Sequence, residues 1–103
     1  MAERLKPRER KALVLAAAVR VAVRTGYMVL TRKDIAAEAD ITEARVSQLF
    51  GSMPKLRRAV MRYAVRYSVL EVVAQGLTVN DLQATRASDS IRQAAIELFG
   101  VAI

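Results

Sequence analysis

Arg45 and Gln48 stand three residues apart in the short run Thr42–Phe50, a spacing that sets both on one side of a helix. A guanidinium can bond a guanine edge with two hydrogen bonds, and a carboxamide can do the same for adenine. Ser47 lies between them and is small enough for close approach to a phosphate or a base, and Ala44 is a further outward position. Glu43 has two readings: it can accept from a cytosine amino group, or pair with Arg45 or Lys33 and so limit binding to wrong sequences. Thr31, Arg32 and Lys33 fall at a helix start, where free N–H groups and the positive dipole end favour phosphate. Thr42 and Ser52 are caps first and phosphate ligands second, while Lys55, with Arg57 and Arg58, flanks the backbone from the first turns of a later helix. Arg4, Lys6, Arg8, Arg10 and Lys11 read either as an arm that adds phosphate or minor-groove contact or as a solvated segment.

Other chemistry is narrowed by what the chain lacks. With no Cys and no His, it has no disulfide, no Cys/His metal site, no thiol nucleophile and no histidine acid–base group. Carboxylates such as Asp34 and Glu38 are accounted for by caps and helix faces, so neither an enzyme nor a cofactor is expected. No uncharged run approaches the roughly 18 residues of a membrane span, so no membrane partner is expected. The basic start followed by Ala12–Val19 imitates a signal peptide, but Arg20 and Arg24 interrupt it and no cleavage site follows. The net charge of +7 is unevenly held: residues 1–68 carry +9 and residues 69–103 carry −2. That division suggests a polyanion-binding part and a self-association part.

The elements that must position these side chains are helical. Apolar residues make up 53% of the chain but aromatics only 5%, which suits closely packed helices rich in Ala, Val and Leu. Pro7 fits a first turn, and Val14, Ala17, Ala18, Val21 and Ala22 recur at helical spacing up to Gly26, a fitting C′ residue. Thr31-Arg32-Lys33-Asp34 reads as a capping box with Asp for Glu, opening a two-turn helix that buries Ile35, Ala36 and Ala39. Asp40 falls at a turn that needs left-handed backbone, and Thr42 caps a third short helix with Val46, Leu49 and Phe50 inward. After Gly51, Ser52 and Pro54 start a fourth helix expected to reach Gln75, with Gly76 as its stop. Its stripe of Leu56, Ala59, Val60, Tyr63, Ala64, Tyr67, Leu70 and Val73 is expected in the core, Tyr63 and Tyr67 included. Met28, Met53 and Met61 read as gap-fillers or surface residues. Thr78–Asp81 is another capping signal, ahead of short helices near Asn80–Ala87 and Asp89–Leu98.

Two short helices separated by three or four residues, the second with short polar groups outward, describe a helix-turn-helix. The segment Val14–Leu56 resembles, without a gap, the amino-terminal DNA-binding domain of the TetR family of repressors. The resemblance rests on Val14-Leu15, Ala17-Ala18, Gly26, Thr31, Asp34-Ile35-Ala36, Ala39, Ile41-Thr42, Phe50, Ser52 and Leu56. It covers a little under half the chain. The sequence departs from the family at Ser47, Leu49 and Met53, where Tyr, an aromatic and Lys are usual, which puts two phosphate contacts in doubt. Ala44-Arg45-Val46-Ser47 also resembles the reading helix of LacI-type proteins, but the long helix and Gly26 ahead of the motif match TetR better.

The resemblance implies an all-α fold: a TetR-like three-helix helix-turn-helix bundle, a long fourth helix and short C-terminal helices. Residues 1–56 are expected to form the DNA-binding domain, and 57–103 the long helix and a helical dimerisation segment. The expected function is a sequence-specific repressor acting as a homodimer on a palindrome in double-stranded DNA, in the bacterial cytoplasm or nucleoid. Some 28 residues follow Gln75, too few to enclose an effector pocket, so no small-molecule inducer is expected. Small repressors of phages and plasmids share that economy, by analogy alone. Two rivals stand beside this reading: an adaptor that holds a partner helix, and a non-specific architectural DNA binder.

Overall fold

A computed structural model describes residues 5–100, and these are helical, with no strand among them. Seven helices follow in order: α1 (Pro7–Thr25), α2 (Arg32–Ala39), α3 (Glu43–Phe50), α4 (Met53–Tyr67), α5 (Leu70–Thr78), α6 (Leu82–Thr85) and α7 (Asp89–Phe99). The fold is the expected all-α arrangement, extended to 46 × 22 × 19 Å.

The amino-terminal elements follow their local chemistry. α1 opens at Pro7 and closes at Gly26, whose φ of 109° lies in a region that side chains avoid. Val14, Ala17, Ala18, Val21 and Ala22 are all buried, and the small residues let α2 and α4 pack closely on α1. Ile35, Val46, Leu56, Val60 and Met61 complete this core with at most 1% exposure. Each such side chain contributes roughly 1.5–3 kcal/mol relative to leaving it in water. Met61 is thus a core residue, whereas Met28 is exposed.

The carboxyl-terminal half differs from the expectation. The fourth helix does not run on to Gln75: it ends at Tyr67, where Ser68 takes left-handed backbone (φ 56°) and Val69 N–H bonds the Ala64 carbonyl at 2.9 Å. α5 then starts afresh and packs on α1, α4, α6 and α7. Gly76 is not a stop but a buried residue inside α5, where an added Cβ would lie 2.5 Å from Met61 Cε and 2.7 Å from Ala84 Cβ. A side chain is excluded there because α4 and α6 close in from both sides. The cap of α6 is Asp81, whose Oδ1 accepts from the N–H groups of Gln83 and Ala84, and Thr78 instead ends α5. Tyr63 packs half-buried against the core as expected, whereas Tyr67 is 58% exposed and lies outside it.

α7 lies on α5, burying Ala95 and half-burying Ile91, Ala94 and Ile96. Part of the apolar surface of the segment expected to dimerise is therefore used within the chain. Leu98 and Phe99 remain exposed, and Val101 and Ile103 lie outside the described residues.

Candidate nucleic-acid interface

Three capped helix starts build the site. Thr31 Oγ1 accepts from Asp34 N–H, Thr42 Oγ1 from Arg45 N–H (both 3.1 Å) and Ser52 Oγ from Lys55 N–H (3.4 Å). Between α2 and α3, Asp40 adopts the left-handed region at φ 56°, ψ 50°, and Ile41 N–H bonds the Ala36 carbonyl at 3.0 Å. That closes a three-residue turn and fixes the angle at which α3 leaves α2. Val46 and Phe50 are buried and Leu49 half-buried, so α3 is pinned along one side only.

The opposite side of α3 is open. Thr42, Glu43, Ala44, Arg45 and Gln48 are exposed, and Ser47 is half-buried. Arg45 Nη1 donates to Gln48 Oε1 at 3.5 Å, a weak contact that keeps the two heads side by side. Pairing of Glu43 with Arg45 or Lys33 is absent among the described residues, so its carboxylate also faces out. Thr31, Lys33, Ser52 and Lys55 are exposed at the starts of α2 and α4. Those starts are joined by Arg32, whose Nη2 donates to the Gly51 carbonyl at 3.4 Å. Arg32 is half-buried and its Nε is buried without a hydrogen-bond partner, so it differs from its neighbour Lys33, whose ammonium stands in solvent.

The amino-terminal basic residues divide. Arg4 lies outside the described residues, while Arg8, Arg10 and Lys11 belong to α1 rather than to an arm, with Lys6 at its start. Lys11 Nζ stands 5.4 Å above the Phe50 ring. Arg57, expected with Arg58 to flank the backbone beside Lys55, is half-buried, whereas the Arg58 side chain is exposed. Arg57 is near enough to Tyr27 to favour its ionised form, and the Arg58 carbonyl accepts from Gln83 Nε2 at 2.9 Å.

Two arrangements had no signal in the sequence because their partners are distant along it. Glu38 of α2 accepts from Arg20 (3.0 Å) and Arg24 (2.8 Å) of α1, and the Arg20 bond first, then the Arg24 bond, holds its carboxyl below the usual range. This clamp sets α2, and with it the turn, on α1. Behind the site, Tyr27 N–H donates to Gln75 Oε1 (2.9 Å), Gln75 Nε2 to the Ala22 carbonyl (3.0 Å) and Tyr27 OH to Asp81 Oδ2 (3.2 Å). Burial, then the Asp81 charge, pushes the Tyr27 hydroxyl up to about 12. The network ties the end of α1 to α5 and α6.

Among the described residues no group of three or more acidic, Cys or His side chains could hold a metal ion, and no helix is long and apolar enough to cross a membrane. What the open side of α3 offers is hydrogen bonding: donors and acceptors on a rigid helix, flanked by helix starts that favour anions. Compared with known families, residues 14–60 match the model described as bacterial regulatory proteins, tetR family. No curated protein and no solved structure matches the chain.

Proposed function

We propose that the chain, whose residues 14–60 match the model of the tetR family of bacterial regulatory proteins, is a homodimeric DNA-binding repressor that reads a palindromic operator with α3. The observation that carries this reading is the exposed Arg45–Gln48 pair on a helix buried only along its other side. Arg45 reads guanine, Gln48 reads adenine, and Ser47 lets the helix approach closely. Glu43 accepts from a cytosine amino group or repels wrong sequences. Thr31, Lys33, Thr42, Ser52 and Lys55 hold the phosphates on either side of the groove, and Arg32 steadies the α3–α4 turn through its bond to the Gly51 carbonyl while its guanidinium adds positive charge beside them.

One eight-residue reading helix spans only a few base pairs. A two-fold pair of them, one helical turn of DNA apart, supplies the missing site length. The exposed Leu98 and Phe99 of α7, beside Val23 of α1, which lines the same cleft as Phe99, are the surface for that pairing. This end of the chain is the acidic one, so two copies meet there with least repulsion. Occupying an operator blocks a promoter without any further contact, which makes repression the mode that asks least of the protein.

Selection of bound duplexes from a random library tests the reading. Enrichment of an inverted repeat with half-sites about one turn apart is the expected result. Recovery without any shared sequence would make the protein a non-specific binder, and no recovery would favour an adaptor.

A further inference from the structure

On the flank of the helix-turn-helix, α1 and α4 leave a cleft of about 320 Å³ between them. Leu15, Phe50, Tyr63 and Tyr67 form its apolar wall, with the tyrosine rings in tilted contact at 4.6 Å between centroids. Lys11, Arg62 and Arg66 line it as well, and no carboxylate does. Two of these cations are held over aromatic faces: Lys11 Nζ lies 5.4 Å from the Phe50 centroid and Arg66 Cζ 5.6 Å from that of Tyr67. None of the three makes an ion pair among the described residues. Their positive charge is thus concentrated at the edge of an apolar, partly exposed aromatic wall.

We propose that this cleft binds a small amphipathic anion, with a flat or aliphatic body on the Tyr63–Tyr67 wall and a carboxylate, sulfonate or phosphate held by Lys11, Arg62 and Arg66. Charge complementarity selects an anion and excludes a second copy of the same face, which would bring three cations against three. The volume is at the small end of ligand sites and does not accommodate a helix. A DNA backbone offers phosphates but nothing to cover the tyrosines. Phe50 is both a wall of the cleft and the last residue of α3. An occupant therefore bears on the seat of α3, and any effect it has on DNA affinity is matched by an equal effect of DNA on its own. The proposal goes beyond the operator reading and rests on the cleft alone.

Titration of the ¹⁵N-labelled protein with 1-naphthoate, without DNA, tests it, with 1-naphthalenemethanol as the neutral counterpart. The expected result is saturable shifts confined to the amides around Leu15, Phe50, Tyr63 and Tyr67, with much weaker binding of the alcohol. The double variant Arg62→Gln, Arg66→Gln alters two exposed side chains and so keeps the native helicity. It should bind naphthoate at least about tenfold more weakly, the loss of two charge-assisted contacts. Equal binding of acid and alcohol, shifts centred on α5–α7, or unchanged affinity in the variant would each overturn the proposal. So would a short non-operator duplex that shifts the same amides and displaces naphthoate, which would make the cleft part of the phosphate-binding surface.

Discussion

The Tyr27 hydroxyl links the stability of the protein to pH. Its pKa is pushed from the usual 10 up to about 12, first by burial and then by the Asp81 charge. Above pH 10 the unfolded chain loses this proton while the folded one keeps it. The contribution is therefore complete below about pH 10 and is lost as pH rises through about 12. Tyr27→Phe should cost about 0.5–1.5 kcal/mol near pH 8, the worth of one hydrogen bond. In urea unfolding, the gap between variant and parent should narrow towards pH 12; a constant gap would place the hydroxyl in water. Lys33 and Arg32, adjacent in the sequence and alike in charge, differ in setting. Lys33→Ala should lower the salt slope of DNA binding by about one unit per subunit at all sequences alike. Arg32→Ala should in addition lower the melting temperature, because its Nη2 holds the Gly51 carbonyl. A Lys33→Ala slope equal to the parent's would remove that side chain from the backbone contacts.

At the scale of elements, α1, α2 and α3 were legible because each boundary is written in local chemistry. Pro7, Thr31, Asp40, Thr42 and Gly51 do in the structure what their types do in isolation. The open side of α3 was legible for the same reason, since Val46, Leu49 and Phe50 left only one side for Arg45 and Gln48. The break at Ser68 was not. Leu70 and Val73 continue the apolar spacing of α4, and a serine in left-handed backbone has no marker such as glycine. Gly76 misled in the opposite sense, because a glycine chosen for close approach looks locally like one chosen to end a helix. The Tyr27–Gln75–Asp81 network and the Glu38 clamp depend on tertiary contacts, which spacing does not encode. Gly76→Ala discriminates the two readings of that glycine. As a helix stop it would lose about 1 kcal/mol to left-handed strain whatever stands at residue 61, but wedged against Met61 and Ala84 it should lose about 1–3 kcal/mol in a way that depends on Met61, measured by thermal or urea unfolding. In a Met61→Ala background, itself destabilised by lost burial, the further loss from Gly76→Ala should be smaller, as the room freed adjoins the new Cβ.

The whole molecule is an elongated body whose first 68 residues carry the positive charge and in which α5 packs on α1, α4, α6 and α7. For this shape to read an inverted repeat, two copies must join away from α3, and Leu98 and Phe99 supply the exposed apolar surface. Leu98→Lys together with Phe99→Lys should turn a sedimenting dimer into a monomer of unchanged helicity, since neither side chain is needed in the core. A monomer at tens of micromolar for the parent would remove the two-fold pairing from the account. The claim on which the rest depends is that α3 reads bases through Arg45. Its most direct test is the affinity ratio between the selected duplex and a scrambled one, measured over a range of salt for the parent and for Arg45→Ala. The ratio should be about 10³ or more for the parent. In the variant the selected duplex should lose roughly 1–3 kcal/mol, with preference relaxed at one base pair per half-site and the salt slope nearly unchanged. A parent ratio near one, or an equal loss on both duplexes with a shallower slope, would contradict it and leave Arg45 a phosphate contact.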